Sequence, residues 1–98
     1  MNAPYDGVFS NGTQLFVDDQ NNNRIMIWNT FPTANFTSAD IVLGQPNFTC
    51  GEVNNDGTGC TEGPASDKNL NQPTGIFQIN NQLIVTDGNS RYLIYNGM

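Results

Sequence analysis

The apolar residues of the chain occur in short runs, and polar segments rich in asparagine and glycine separate them. No window of about ten or more residues has apolar residues at the spacing of a helical face. The short runs are instead rich in β-branched and aromatic residues, which favour strands. Asparagine and glycine between the runs are typical of turns. We therefore predict an all-β chain whose seven strands cover residues 7–10, 14–18, 24–29, 40–44, 75–79, 82–86 and 91–96.

The chain contains an internal repeat with an offset of 68 residues, from Gly7 to Gly75. After the second strand the second copy is one residue shorter, so the offset between matched residues becomes 67 from Arg24 and Arg91 onward. The matched segments are Gly7-Val8-Phe9 with Gly75-Ile76-Phe77, Gln14-Leu15-Phe16-Val17 with Gln82-Leu83-Ile84-Val85, Asp19 and Asn21 with Asp87 and Asn89, and Arg24-Ile25-Met26-Ile27-Trp28-Asn29 with Arg91-Tyr92-Leu93-Ile94-Tyr95-Asn96. Such self-similarity indicates two copies of one structural unit.

Three of the apolar runs, 25–28, 41–43 and 92–95, are continuous rather than alternating, which indicates strands covered on both faces. Radially stacked sheets provide that cover, but two sheets have four faces and can bury only two against each other. If about six large side chains stay exposed, the lost burial is about 9–18 kcal/mol. This matches the whole stability of a typical domain, about 5–15 kcal/mol. We therefore expect a single copy to fold poorly unless copies assemble or the chain belongs to a longer one.

Two motifs resemble the NHL-repeat β-propellers. The first is Pro-x-Gly-(Val/Ile)-Phe, then Gln-Leu-(Phe/Ile)-Val-x-Asp-x-Asn-x-Arg, then an apolar strand that ends in Trp28-Asn29 or Tyr95-Asn96. The second copy has these spacings, and the first has one more residue between Pro4 and Gly7 and one more before Arg24. The second, residues 39–48, is similar to the outer strand and exit turn of a bacterial subgroup with long repeats. The resemblance covers nearly the whole chain except about residues 49–67.

This resemblance implies a four-stranded propeller blade in residues 1–48, a long Cys-flanked loop in 49–68, and a partial, three-stranded blade in 69–98. Such propellers commonly have six blades, so the chain would be completed to a ring by oligomerisation, with a trimer favoured. The second copy has no counterpart of the run at 41–43, which leaves an unpaired edge at 91–96 unless another segment or another chain covers it.

The charge balance limits the possible partners. Three Lys+Arg against nine Asp+Glu give a net charge of −6, and there is no histidine. Neutralising nucleic-acid phosphates or binding anionic lipid needs clustered cations, so we expect neither a nucleic-acid nor a membrane partner. The apolar runs are too short to span a bilayer. Imidazole acid–base chemistry and histidine-based metal sites are excluded.

Four repeated residues are candidates for a structural or binding role. Asp19 with Arg24, and Asp87 with Arg91, recur at matched positions. Each pair is predicted to brace its turn through charge-assisted hydrogen bonds, and ligand binding at the blade edge is the alternative.

Two aromatic residues also share one repeat position. Trp28 and Tyr95 are expected to pack between blades, with stacking of a ligand as the alternative.

Cys50 and Cys60 flank a polar, glycine-rich loop. We predict a disulfide that stabilises the fold by about 2–3 kcal/mol, with two reduced thiols as the alternative. A disulfide would suggest an extracellular or periplasmic location as part of an exported parent, and otherwise the compartment is left open.

No cofactor is expected, with calcium as the alternative. The motif Asp19-x-Asn21-x-Asn23 is not a calcium loop, because Arg24 stands where glycine is needed. The stretch 54–59 could chelate calcium, but we expect a flexible, solvated loop; Asp6 or Asp56 could also contribute to a carboxylate site.

Together these features predict a non-catalytic module for protein or ligand binding that assembles with itself. The alternatives are a carbohydrate-binding, lectin-like propeller and a subunit of a calcium-dependent hydrolase or lyase.

Overall fold

The computed structural model describes residues 7–98 and shows two antiparallel sheets. The first sheet has the order β1 (Val8–Ser10), β2 (Leu15–Asp19), β3 (Arg24–Trp28), β4 (Ile41–Leu43), and the second has the order β5 (Gly75–Ile79), β6 (Gln82–Asp87), β7 (Arg91–Asn96). One 3-10 turn, Gln20–Asn22, joins β2 to β3. The predictions of an all-β chain and of a four-stranded and a three-stranded antiparallel sheet are confirmed. Every strand end lies within one residue of its predicted position.

The tight turns depend on residues that tolerate a left-handed backbone. Asn80 and Asn81, with φ of 50° and 60°, form the two-residue connection between β5 and β6. Asn23 and Ser90 are also left-handed, and each directly precedes the arginine that begins β3 or β7. Gly44 follows β4 with φ of 95°, and a Cβ there would lie 2.8 Å from the carbonyl oxygen of Asn23. Glycine therefore fits this point without strain, whereas a residue with a Cβ would have to displace neighbouring atoms.

The core lies between the two sheets. Its fully buried members come from β2, β3, β6 and the segment before β5: Phe16, Ile25, Ile27, Leu70, Leu83 and Val85. Phe16 lies opposite Ile27 in the β2–β3 register, so these side chains share the inner face of the first sheet. The strands β1 and β5 meet at one end of the core, where the rings of Phe9 and Phe77 are 5.4 Å apart. The inner face of each sheet therefore covers the other.

The connector, residues 44–74, is held by buried amide groups. Gln45 donates through Nε2 to the carbonyls of Asn23 (2.9 Å) and Glu52 (2.8 Å). Its Oε1 accepts from the Glu52 N–H (3.2 Å) and from Nδ2 of Asn55 (3.1 Å). Asn54 and Asn55 are buried, whereas residues 56–58 at the tip are exposed. The prediction of a solvated loop is therefore wrong for Asn54 and Asn55, because their amides satisfy buried backbone and side-chain groups.

Candidate functional site

Each sheet has a second, outward-directed face in addition to the inner face that forms the core. We call the outer face of the second sheet the exposed face; it consists of Phe77, Ile79, Ile84, Tyr92 and Ile94. We call the outer face of the first sheet the groove face; it consists of Val8, Leu15, Val17, Met26 and Trp28. Both faces carry large apolar side chains, so they are the candidate interaction surfaces of the described chain.

The exposed face has little cover from the rest of the described chain. Tyr92, Ile94, Phe77 and Ile79 are 68%, 51%, 50% and 45% exposed. Alternation along β7 sends Leu93 and Tyr95 to the core instead, where they pack against it. The apolar run at 92–95 was predicted to be covered on both faces; within residues 7–98 only one of its faces is covered.

The groove face is partly roofed by residues 30–40, the segment that connects β3 to β4. The indole Nε1 of Trp28 donates to the carbonyl of Thr37 at 2.8 Å, which fixes this segment over the sheet. A cavity of about 540 Å³ lies between them, with Leu15, Val17 and Met26 in its lining. Phe36 also lines it and is fully exposed. The groove face is therefore a concave, apolar surface, in which Val17 and Trp28 are already buried and Leu15 and Met26 are half-buried.

The repeat relates these two faces to the pair that already packs in the core. Ile84, Tyr92 and Ile94 of the exposed face correspond to Phe16, Ile25 and Ile27, which are fully buried on the inner face of the first sheet. In the same way, the residues of the groove face correspond to the inner face of the second sheet: Val8 to Ile76, Leu15 to Leu83, Val17 to Val85, Met26 to Leu93 and Trp28 to Tyr95. The exposed face and the groove face are thus the repeat counterparts of two surfaces that contact each other.

The repeated ion pairs lie at the turns that hold the connector. Arg24 Nε is 2.7 Å from Asp19 Oδ2, and Arg91 Nε is 2.9 Å from Asp87 Oδ2. Both carboxylate side chains are fully buried. The two guanidinium groups also donate to connector carbonyls, Arg24 to Phe48 at 2.7 Å and Arg91 to Asn69 at 3.0 Å. These contacts tie each turn to the connector.

The asparagine beside each ion pair shows where the repeat loses one residue. Nδ2 of Asn22 donates to Asp19 at 3.1 Å, and Nδ2 of Asn89 donates to Asp87 at 2.6 Å. Asn22, and not Asn21, is therefore the structural counterpart of Asn89. The sequence match of Asn21 to Asn89 is wrong by one position, since the 3-10 turn takes up the extra residue before Asn22.

Tyr95 differs from its counterpart Trp28 in one respect. Its hydroxyl is buried and has no hydrogen-bond partner within residues 7–98, whereas the Trp28 indole bonds to Thr37. Burial, with a contribution from the charge of Asp87, raises the pKa of Tyr95 to about 12. The second sheet has no described counterpart of residues 30–44, and this is the segment that supplies the acceptor in the first sheet.

The candidate metal and redox positions lie in the connector. Cys50 and Cys60 form a disulfide, and Cys50 is buried. Asp56 is exposed, and its Oδ1 accepts from the N–H and the hydroxyl of Thr58, which lowers its pKa. Residues 7–98 contain no group of three or more Cys, Asp or Glu side chains placed to hold a metal ion. Asp6 lies outside the described residues.

Sequence reasoning did not identify the groove or the Tyr95 hydroxyl. The available signal for the groove was the alternation along β2, where Leu15 and Val17 point away from Phe16. In the described range no helix is long and apolar enough to cross a bilayer. Comparisons with protein-family models, with curated proteins and with solved structures find no match to the chain. Its function is therefore inferred from the two faces.

Proposed function

We propose that the chain is a non-catalytic binding module that closes an NHL-like β-propeller ring by self-association. In this ring the exposed face of one copy packs on the groove face of the next copy. One observation carries the proposal: Ile25 and Ile27 are fully buried, whereas their repeat counterparts Tyr92 and Ile94 are 68% and 51% exposed. The packing between the two sheets of one chain supplies the template for the contact between chains.

The exposed side chains are large enough to drive such a contact. Full burial of one of these side chains contributes about 1.5–3 kcal/mol. Phe77, Ile79, Tyr92 and Ile94 are about half exposed, so docking contributes about 3–6 kcal/mol per face. The contact joins two different surfaces and is therefore heterologous, which produces a closed ring when the rotation between copies closes. In a closed ring every copy is bound at both faces, so each copy takes part in two contacts, whereas each copy of an open dimer takes part in one.

The number of copies follows from the sheets that a ring can hold. Propellers contain about four to eight sheets, so rings of two, three or four copies are possible. Three copies supply six sheets, which is the number that the NHL resemblance favours. The proposed partners are thus other copies of this chain, together with a protein or carbohydrate bound by the assembled ring.

A complementation experiment tests the contact. The exposed-face variant carries Tyr92→Lys and Ile94→Lys, and the groove variant carries Met26→Lys. Light scattering is expected to give a trimer mass for the wild type and a monomer mass for each variant alone, because a lysine on either face opposes burial. An equimolar mixture of the two variants is expected to form a dimer, since each variant supplies the face that the other has lost.

Phe48→Ser is the matched control, because Phe48 is an exposed aromatic residue on neither face. It is expected to keep the trimer mass. Circular dichroism of each variant checks that the sheets persist. A wild-type protein that stays monomeric at millimolar concentration would overturn the proposal. A groove variant that still dimerises would also overturn it, because the exposed face would then pair with itself.

A further inference from the structure

The outer edge of β7 differs from the corresponding edge of β3. In the first sheet β4 covers that edge, with Ile25 opposite Leu43 and Ile27 opposite Ile41. In the second sheet β7 has no outer neighbour among residues 7–98. Its edge runs for six residues with neither proline nor lysine, which are common protections of exposed edges. With respect to the residues that the structure describes, the edge therefore presents unpaired backbone donors and acceptors.

The first sheet shows what such an edge binds. The strand β4 is three consecutive aliphatic residues, and Asp40 precedes it. The Asp40 N–H donates to the carbonyl of Ile27 at 2.8 Å, and Oδ2 of Asp40 accepts from the backbone N–H of Asn29 at 2.8 Å. The repeat counterparts of Ile27 and Asn29 are Ile94 and Asn96, both on β7.

Two side-chain contacts show how far the correspondence holds. Gln14 Nε2 donates to Asn29 Oδ1 at 3.2 Å, and Gln82 Nε2 donates to Asn96 Oδ1 at 2.9 Å, so this strand end is built in the same way in both sheets. Tyr95 supplies the second, independent observation. Its buried hydroxyl lacks, among residues 7–98, the acceptor that the Thr37 carbonyl provides for Trp28.

We infer that the β7 edge is a binding site for an extended polypeptide segment with the chemistry of β4: an aspartate followed by three aliphatic residues and a glycine. The segment pairs antiparallel to β7 and continues the β5–β6–β7 ladder by one strand. Its aspartate accepts from the backbone N–H of Asn96. The carbonyl three residues before that aspartate accepts from the Tyr95 hydroxyl. This site is an edge and not a face, so it is independent of the proposed ring contact.

The test uses the full chain and a synthetic peptide, Thr-Ser-Ala-Asp-Ile-Val-Leu-Gly, which is the sequence of residues 37–44. Hydrogen exchange of the backbone amides is followed by NMR. When the peptide occupies nine-tenths of the protein, exchange is expected to slow about tenfold at the alternate β7 amides, those that do not donate to β6. The same peptide with proline in place of leucine is expected to cause no change, since the leucine, like Leu43 opposite Ile25, is placed to donate to the paired strand, and proline removes that ladder donor.

Variants of the protein test the role of the hydroxyl. Tyr95→Phe is expected to weaken peptide binding by about two- to tenfold, the effect of one lost hydrogen bond. Because this hydroxyl has no partner within the described residues, the variant is expected to fold as the wild type does. Tyr92→Phe is the matched control, since Tyr92 lies on the exposed face; its affinity is expected to equal that of the wild type.

Three results would overturn the inference. The first is no change at β7 at millimolar peptide, or a change located at the groove face instead. The second is equal binding of the proline peptide. The third is protection of the same β7 amides without peptide that rises with protein concentration, because the edges of two copies would then pair with each other.

Discussion

Reduction of the Cys50–Cys60 disulfide is expected to destabilise the protein by an amount that the loop length determines. The two cysteines are 10 residues apart in sequence. For a loop of this length the chain-entropy relation gives about 2.7 kcal/mol at 25 °C. The native loop has other constraints, including the hydrogen bond from the Asp56 N–H to the Thr61 carbonyl at 2.8 Å. Reduction therefore acts mainly by freeing the unfolded chain.

Thermal unfolding followed by circular dichroism, with and without a phosphine reductant, measures this effect. A chain of 98 residues has an unfolding entropy of about 2.1 cal/mol/K per residue, so 2.7 kcal/mol corresponds to a decrease in Tm of about 13 °C. Both samples have the same sequence and are compared at one protein concentration, at which light scattering shows the same mass. Differences in side-chain packing and in assembly are thereby removed from the comparison.

The double variant Cys50→Ala, Cys60→Ala serves as the control. It is expected to melt within a few degrees of the reduced wild type, and the reductant should leave its Tm unchanged. A decrease of less than about 5 °C on reduction of the wild type, which is about 1 kcal/mol, would refute the loop-closure reasoning. The connector contacts would then restrict the unfolded chain as well.

Three further predictions concern single side chains. Arg24→Met is expected to lower the free energy of unfolding by about 3–5 kcal/mol, because it leaves a buried carboxylate without its cation. Arg91→Met should lower it less, since the Arg91 side chain is 25% exposed against 10% for Arg24; equal losses in urea would contradict the dependence on burial. Gly12→Ala should lose about 1–2 kcal/mol from its positive φ alone. Gly44→Ala, at the same φ of 95°, should lose more in the same urea assay, because only its Cβ meets neighbouring atoms; a loss no greater than that of Gly12→Ala would contradict this. Burial raises the pKa of Tyr95, so the unfolded chain ionises first, near the ordinary value of 10, and stability should decline from there towards about pH 12. Tyr95→Phe should flatten this decline in denaturant titrations at stepped pH, and an unchanged slope would exclude Tyr95 as its cause.

The strands and their pairing could be predicted because the same strand pattern occurs in both copies of the internal repeat. The match of Leu15 and Val17 with Leu83 and Val85 fixed the second strand of each sheet, and strand bounds followed from the polar turns. Repetition supplied the evidence that a single strand pattern would not have provided.

The buried amides of the connector could not be predicted. Asn54 and Asn55 stand in a glycine-rich stretch that has the composition of a solvated turn. They are buried because Gln45 and Asn69, distant in sequence, meet them: Nδ2 of Asn69 donates to the Asn55 carbonyl at 3.1 Å. From the sequence pattern, an asparagine whose amide bonds to a buried carbonyl cannot be told apart from an asparagine that is exposed to water. Only the three-dimensional contacts distinguish them.

The amide groups that join Gln45, Asn54, Asn55 and Asn69 carry no net charge and do not ionise near neutral pH. Electrolyte therefore has no ion pair to screen among them. In a chain with a net charge of −6, added salt weakens repulsion between separate molecules while leaving this uncharged joint as it was. Ionic strength should thus change how readily molecules associate, while the amide contacts within the connector persist.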